Sequence, residues 1–158
     1  MNFFKQLLHW YQFDMNYLLY WKMRLGLQNG EEGIINYCKL LYVRHLEAKR
    51  NSTTGTGKGG NCCTIDGPLI MPHGMISIVF ARNVRIGKNV TIHQHVTIAE
   101  SDKSKTTIIE DDVMIGAGAV VLNNVRIGKG AKIGANAVVI SDVPEGATAV
   151  GVPAKIIE

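Results

Sequence analysis

The stretch Phe80–Ile98, FARNVRIGKNVTIHQHVTI, decides the fold because its large apolar side chains recur every six residues. A second series with the same spacing begins at Ile109 and continues to Val139. An α-helix repeats every 3.6 residues, so this spacing fits a short strand followed by a turn. The full series is Phe80, Ile86, Ile92, Ile98, Ile109, Ile115, Val121, Ile127, Ile133 and Val139.

Small or β-branched residues precede most of these positions by two, and glycine often follows them. The small set is Val84, Val90, Val96, Val113, Ala119, Val125, Ala131 and Ala137. Glycine supplies the positive φ that a tight turn needs. Three such units make one coil of roughly 18 residues, and stacked coils form a parallel β-helix. The sequence therefore predicts a mainly β fold of hexapeptide repeats.

The composition divides the chain near residue 51. Ten of the eleven aromatic residues lie in 1–50, whereas all four prolines and fourteen of the seventeen glycines follow. We therefore predict an N-terminal helical arm at 1–50, a linker at 51–64 and the β-helix at 65–158. The linker run GTGKGG lacks the Ser or Thr after lysine, and the leading strand, of a phosphate-binding P-loop.

The helical arm shows two apolar stripes separated by Gly26 and Asn29-Gly30, which indicate a turn. The stripes are Phe4, Leu8, Tyr11, Met15 and Leu18, then Ile34, Cys38, Leu41, Tyr42 and Leu46. The first helix also carries Trp10, Tyr17 and Trp21 off its stripe, so we expect it to be buried on more than one side. Packing on the second helix and a neighbouring subunit is favoured, and peripheral membrane contact is the alternative.

Charge and length limit the function classes. The net charge is +4 and the basic residues are scattered, which argues against nucleic-acid binding. No apolar run reaches the ~20 residues of a membrane span. The first residues lack a signal-peptide layout, so we expect a cytoplasmic protein. The three cysteines include no CxxC pair, and we expect them to pack as small apolar residues.

The hexad phase slips between Ile98 and Ile109, across a polar segment that we expect to loop out. His93 and His95 lie on a turn just before this loop. A third histidine, His73, lies in the triple Pro72-His73-Gly74 ahead of an apolar strand. Each histidine alone is compatible with a structural role.

The order of these motifs resembles a known family. His-Gly, an apolar strand, IGKNV, QHVTI, a loop and IGAGA follow one another, and the chain continues from Ser141-Asp142-Val143-Pro144 to Gly151-Val152-Pro153-Ala154-Lys155-Ile156. The stretch from about residue 65 to 158 resembles the left-handed β-helix of hexapeptide-repeat acyltransferases. It is similar to the serine acetyltransferase group, and closer in pattern to relatives that O-acetylate bacterial surface sugars.

The resemblance implies acetyl transfer from acetyl-CoA to a hydroxyl group, with no metal. His73 matches the general base of the family, which suits histidine because its ordinary pKa of about 6.5 permits proton transfer near neutral pH. Asp66 is the nearest acid that could orient His73, and His95 is expected on the acceptor side. The resemblance also implies donor binding by Ala99, Ala117, Gly118, Ala135, Asn136 and Lys155, and a homotrimer with the site between neighbouring β-helices.

The acceptor and the reaction class remain open at this point. The serine enzymes carry Arg-His where this chain has Lys105-Thr106, which favours a sugar hydroxyl in surface-polysaccharide synthesis over serine in cysteine biosynthesis. A zinc carbonic anhydrase of this fold would need three histidines at a subunit interface, and the candidates here are His73, His93 and His95. In that family the two histidines close in sequence are five residues apart, whereas His93 and His95 are two residues apart, which argues against this function. A non-catalytic scaffold is a further alternative.

Overall fold

The computed structural model describes residues 17–27, 33–55, 63–99, 106–122 and 124–157. Three parallel sheets wrap around one apolar core, and each sheet receives a strand from successive turns of the chain. Sheet A contains β1 (Thr53–Thr54), β3 (Val79–Phe80), β6 (Thr97–Ile98), β9 (Val120–Val121) and β12 (Val138–Val139). Sheet B contains β2 (Thr64–Ile65), β4 (Val84–Ile86), β7 (Thr107–Ile109) and β10 (Arg126–Ile127). Sheet C contains β5 (Thr91–Ile92), β8 (Met114–Ile115), β11 (Lys132–Ile133), β13 (Thr148–Val150) and β14 (Lys155–Ile157).

The hexad series forms the core, as the sequence predicts. Every member from Phe80 to Val139 is at most 2% exposed, and the smaller residues two positions earlier are at most 3% exposed. Each buried Val, Ile or Phe contributes about 1.5–3 kcal/mol relative to an exposed one. The neighbouring strands run parallel and in register, for example Ile92 beside Ile115 and Ile115 beside Ile133. The predicted parallel β-helix with an N-terminal helical arm is confirmed.

Close stacking of the turns explains one glycine in particular. A Cβ atom on Gly116 would lie 2.6 Å from the backbone nitrogen of Ala135 in the next turn of the chain. No real Cβ approaches a backbone atom so closely, so the coil spacing itself requires glycine here. The small residues along this edge therefore have a structural role before any ligand is considered.

Two helices cover the end of the coil at β1. The first, α1 (Tyr17–Gly26), buries Tyr20, Trp21 and Arg24, and the second, α2 (Ile34–Lys49), buries Leu40, Val43, Leu46 and Glu47. Of the second apolar stripe, Leu46 is buried, whereas Ile34, Cys38 and Leu41 are exposed in the single chain. The first stripe lies outside the described residues except for Leu18, which is 59% exposed.

A buried polar cluster joins the helices to the coil. Arg24 donates from Nε to Thr54 Oγ1 and from Nη2 to the carbonyl oxygens of Thr54 and Cys63, each at 2.8 Å. Glu47 accepts hydrogen bonds from the hydroxyls of Tyr20 and Thr54. Burial, followed by the nearby Glu47 carboxylate, raises the pKa of Tyr20 well above its ordinary value. These bonds compensate for removing two charged groups from water.

The coil begins earlier than the sequence indicates. Thr53 and Thr54 lie in the range predicted as a linker, yet they form β1 and pair with Val79 and Phe80. Residues 56–62 of that range lie outside the described residues. Among the cysteines, Cys63 is buried in the core and Cys38 is exposed. The described helices include none that is long and apolar enough to cross a membrane.

Candidate active site

The three edges of the prism carry different side chains. The chain passes from sheet A to B, then to C, then back to A. The C–A corner contains residues 71–78, 93–96, 116–119 and 134–137; the B–C corner contains 66–69, 87–90, 110–113 and 128–131; the A–B corner includes 81–83, 99 and 140–142. The structure places His73, His93 and His95 at the C–A corner, Asp66 at the B–C corner and Ala99 at the A–B corner.

His73 lies on a turn that is longer than its neighbours. Ile70 pairs with Thr91, and the chain then takes nine residues to reach Val79 in sheet A, whereas Thr91 reaches Thr97 in six. The three extra residues raise Pro72 and His73 out of the regular coil, where both are exposed, while Gly74 stays buried. Gly74 has a φ of 72°, a left-handed conformation that glycine adopts without strain. His73 is exposed as a result.

His93 meets His73 from the next turn of the chain. The two ring centroids are 5.6 Å apart and the rings are inclined by 42°. The sequence left the role of His93 undecided, and the hexad phase offers one signal for it. Because Ile92 points inward, His93 must begin the outward turn at the same corner as His73.

His95 occupies the same turn in a different orientation. It is exposed, has a φ of 61°, and donates its backbone N–H to the carbonyl oxygen of Ile76 at 2.9 Å. This bond ties the histidine turn to the long turn that carries His73. The C–A corner therefore brings together the two predicted catalytic histidines within one chain.

Four of the residues predicted to bind acetyl-CoA lie along the same C–A corner. The N–H of Gly118 donates to the carbonyl of Gln94 at 3.0 Å, and the N–H of Asn136 donates to the carbonyl of Ala117 at 2.8 Å. Ala135 and Asn136 are exposed, whereas Ala117 and Gly118 are half-buried. The edge is thus a continuous path of small, uncharged residues that leads away from the histidines.

The other residues predicted to bind acetyl-CoA, Ala99 and Lys155, lie outside the C–A corner. The backbone N–H of Ala99 donates to the carbonyl of Val121 at 2.9 Å, so it takes part in the hydrogen bonding of the coil at the A–B corner. Lys155 is exposed in β14, which runs antiparallel to β13. The turn before Lys155 hydrogen-bonds to Val138 through Gly151 and Ala154, close to the far end of the C–A corner.

Asp66 is not brought to His73 in the single chain. Its Oδ2 lies 3.7 Å from Nη2 of Arg85, at one side of a groove of about 380 Å³ on the outer face of sheet B. Glu110 and Arg126 form another ion pair in this groove. The hydrogen bond from Arg126, then that from the backbone N–H of Lys129, lowers the pKa of Glu110. The groove is therefore lined by charged side chains that form ion pairs.

His73, His93 and His95 share the C–A corner, and the described residues contain no group of three or more His, Cys, Asp or Glu side chains that is arranged to hold a metal ion.

Comparison with known proteins agrees with this geometry. Residues 106–141 match the family model described as bacterial transferase hexapeptide (six repeats). Residues 106–141 therefore carry repeats of the bacterial transferase hexapeptide type. A curated serine acetyltransferase from Bacillus licheniformis is 46% identical over 92 residues, which is 56% of this chain and 42% of the relative.

A different acetyltransferase is also similar. The 2,3,4,5-tetrahydropyridine-2,6-dicarboxylate N-acetyltransferase of Staphylococcus aureus is 49% identical over 75 residues, 46% of this chain and 31% of the relative. A solved serine acetyltransferase in complex with CoA superimposes with a TM-score of 0.60 at 32% identity, over 78% of this chain and 51% of the other. The hexapeptide-repeat chain thus spans less than half the length of the curated relatives it matches.

Proposed function

We propose that this chain is an acetyl-CoA-dependent O-acetyltransferase with His73 as its general base. The observation that carries the proposal is the C–A corner, where His73 and His95 precede a continuous edge of small residues. The edge offers room and backbone groups for an extended pantetheine arm, and the relatives named as acetyltransferases support acetyl-CoA as the donor.

The reaction requires one proton acceptor and one path for the leaving group. His73 accepts the proton of the acceptor hydroxyl as its oxygen attacks the thioester carbonyl of acetyl-CoA. The new C–O bond gives a tetrahedral oxyanion, and the C–S bond then breaks. His73 returns the proton to the departing thiolate, so that CoA leaves as the thiol. The exposed position of His73 allows both substrates to reach its ring.

Serine is the acceptor that the comparisons favour, because several of the most similar relatives are serine acetyltransferases. This preference differs from the surface-sugar acceptor that the sequence pattern suggested. A sugar hydroxyl remains the second candidate on one observation: Lys105-Thr106 replace the Arg-His pair of the serine enzymes. The Arg-His pair is expected to bind the carboxylate of an amino-acid acceptor, and this chain lacks that pair.

A homotrimer fits the chemistry of sheet A. The outward residues of this sheet are all uncharged, whereas sheets B and C present Arg85, Arg126 and Lys132. The sheet A set is Thr53, Val79, Thr97, Val120 and Val138. Sheet A lies between the C–A and A–B corners, so a neighbour packed against it would place its A–B corner beside the histidines. We propose that the site is completed in this way.

The outer side of the helical pair is our proposed membrane contact. Ile34 is 81% exposed and Leu41 is 51% exposed, with Lys22 and Lys49 also exposed, and the one acid of the described helices, Glu47, is buried. Glu31 and Glu32 lie between the helices in sequence, outside the described residues. Apolar side chains with a basic rim fit the surface of an anionic bilayer. An Ile34→Ser/Leu41→Ser variant is expected to lose sedimentation with phosphatidylserine vesicles; unchanged sedimentation would disprove this contact.

Thiol release from acetyl-CoA tests the function directly. Serine, free sugars, nucleotide sugars and short glycans are offered as acceptors to the wild type and to His73→Ala. We expect serine-dependent release that the variant loses. Release with a glycan alone would establish the second candidate, and equal release by both proteins would disprove the role of His73. Absence of acetyl-CoA binding would point to a scaffold.

A further inference from the structure

We propose that His93 is a positioning residue for His73: its ring holds the imidazole of His73 in the orientation that proton transfer requires. The inference rests on the proposed function and adds a residue to it. Neither the family match nor the names of the relatives assign His93 a role.

His73 has little else to hold it. Its side chain is exposed, on the segment that the three extra residues raise from the coil. Across the described part of the chain, the ring of His93 is its only ring, hydrogen-bond or ion-pair partner. An exposed side chain without a partner samples several rotamers, and each of them places the basic nitrogen differently.

His93 is, in contrast, fixed to the coil. It is half-buried and follows Ile92, which is 0% exposed. Its backbone N–H donates to the carbonyl of Ile115 at 3.0 Å, so the residue belongs to the hydrogen-bond ladder of sheet C. Partial burial of the side chain and the hydrogen bond of the backbone together make His93 a rigid support for the ring of His73 on the longer turn.

The contact has a chemical consequence as well as a geometric one. His73 becomes an imidazolium when it accepts the hydroxyl proton. An aromatic face beside it stabilises that positive charge and restrains the ring. Small misplacement of a reacting group costs up to about 100-fold in rate, so a restraint of this kind affects turnover. His95 does not share this role, since it is exposed and the described residues show no ring contact between it and His73.

The inference predicts which property of residue 93 matters. A ring is required, and a titratable nitrogen is not. We therefore expect His93→Ala to lower kcat about 10-fold or more, with the KM for acetyl-CoA and the melting temperature unchanged. We expect His93→Phe to recover most of the lost kcat, because phenylalanine keeps the aromatic face.

The matched control is His45→Ala, which removes an exposed histidine from α2, at the far side of the helical pair. It is expected to leave kcat, KM and melting temperature unchanged. Wild-type kcat in His93→Ala would overturn the inference, and so would a His93→Phe variant no better than His93→Ala. A fall in melting temperature with every substitution at 93 would assign the residue a structural role instead.

A second measurement is independent of activity. Protein labelled with ¹³C and ¹⁵N in histidine gives NMR signals for the His73 ring, which should shift in His93→Ala and not in His45→Ala. Unchanged His73 signals would overturn the contact itself. If the wild type transfers acetyl to no acceptor, the proposed function fails and the positioning role fails with it, while these signals still decide whether the two rings meet.

Discussion

The C–A and B–C corners are built on the same repeat, yet they differ in chemistry. At the B–C corner, acidic side chains pair with basic side chains of neighbouring turns: Asp66 with Arg85 and Glu110 with Arg126 of sheet B, and Asp112 with Lys129 of the corner itself. At the C–A corner, the described residues carry histidines, small residues and amides, and no such ion pair. Apart from the longer turn that carries His73, the turns of both corners have the same length of four residues.

This difference separates side chains that serve the coil from side chains that are available to a ligand. Asp111 accepts a hydrogen bond from the backbone N–H of Lys88, and Glu110 accepts one from that of Lys129, so these carboxylates close the turns of neighbouring repeats. The histidine rings make no comparable bond to the backbone of the described residues. Charged residues of one corner therefore stabilise the fold, while His73 and His95 of the other remain exposed.

The largest expected effect is that of removing the His73 side chain from the C–A corner. Replacing His73 by Ala removes the proposed general base and should lower kcat about 10²–10⁴-fold. The matched substitution at the B–C corner, Lys129→Ala, removes a charge from an ion pair and should leave kcat within about twofold. Steady-state kinetics of both proteins measure this. Comparable losses in the two variants would mean that the corners do not differ in function.

A charge placed on the proposed donor path should have the next largest effect. Ala135→Glu adds an exposed carboxylate beside Asn136, where it would repel the phosphates of CoA. We expect the KM for acetyl-CoA to rise about 10-fold, which corresponds to about 1.4 kcal/mol. Thr64→Glu, on sheet B beside Arg85, provides the same charge away from the path. A donor that bound elsewhere would leave the KM of Ala135→Glu at the wild-type value.

Asp66 provides a further test of the comparison, because the sequence suggests His73 as its partner whereas the structure pairs it with Arg85. Its ion pair with Arg85 is partly exposed, and such pairs contribute about 0–1 kcal/mol. Asp66→Asn should therefore reduce kcat less than about threefold, far less than His73→Ala. A reduction near that of His73→Ala would restore Asp66 to the role of orienting the base, for example through another protomer.

The smallest effect concerns Glu110 and depends on pH. Its pKa is lowered in the folded protein by the hydrogen bond from Arg126, so its stabilising contribution is present above its ordinary pKa and disappears as the pH falls through the lowered value. Glu110→Gln should lower the melting temperature slightly at pH 7. The difference should vanish in strong acid, and a difference of the same size at both pH values would show that charge is not its cause.

The coil could be predicted from the sequence because inward positions recur at a fixed spacing. Phe80 and Val139 are both buried, as the hexads require. The helices could not be placed as well, since α2 is apolar on two sides and periodicity alone does not say which side meets the coil. Val43 is buried and Ile34 is exposed, although both are large aliphatic residues.

The sequence indicates candidate site residues but not how the fold groups them. Sequence order indicates His73 and His95, and the hexads put Ala117 and Asn136 on turns. It does not indicate which corner each turn occupies, because the three extra residues before Val79 shift the phase of everything that precedes them. Asp66 is seven residues from His73 in sequence, about one hexad, and therefore lies at the preceding corner.

The capped ends of the coil have a consequence for assembly. At one end, α2 packs on β1, the edge strand of sheet A, and at the other end β14 runs antiparallel to β13 in sheet C. A bare parallel edge is a template on which another coil can add, and repetition of that step produces a fibre. A helix across one edge of sheet A and a strand of reversed direction at one edge of sheet C block such addition at these two edges.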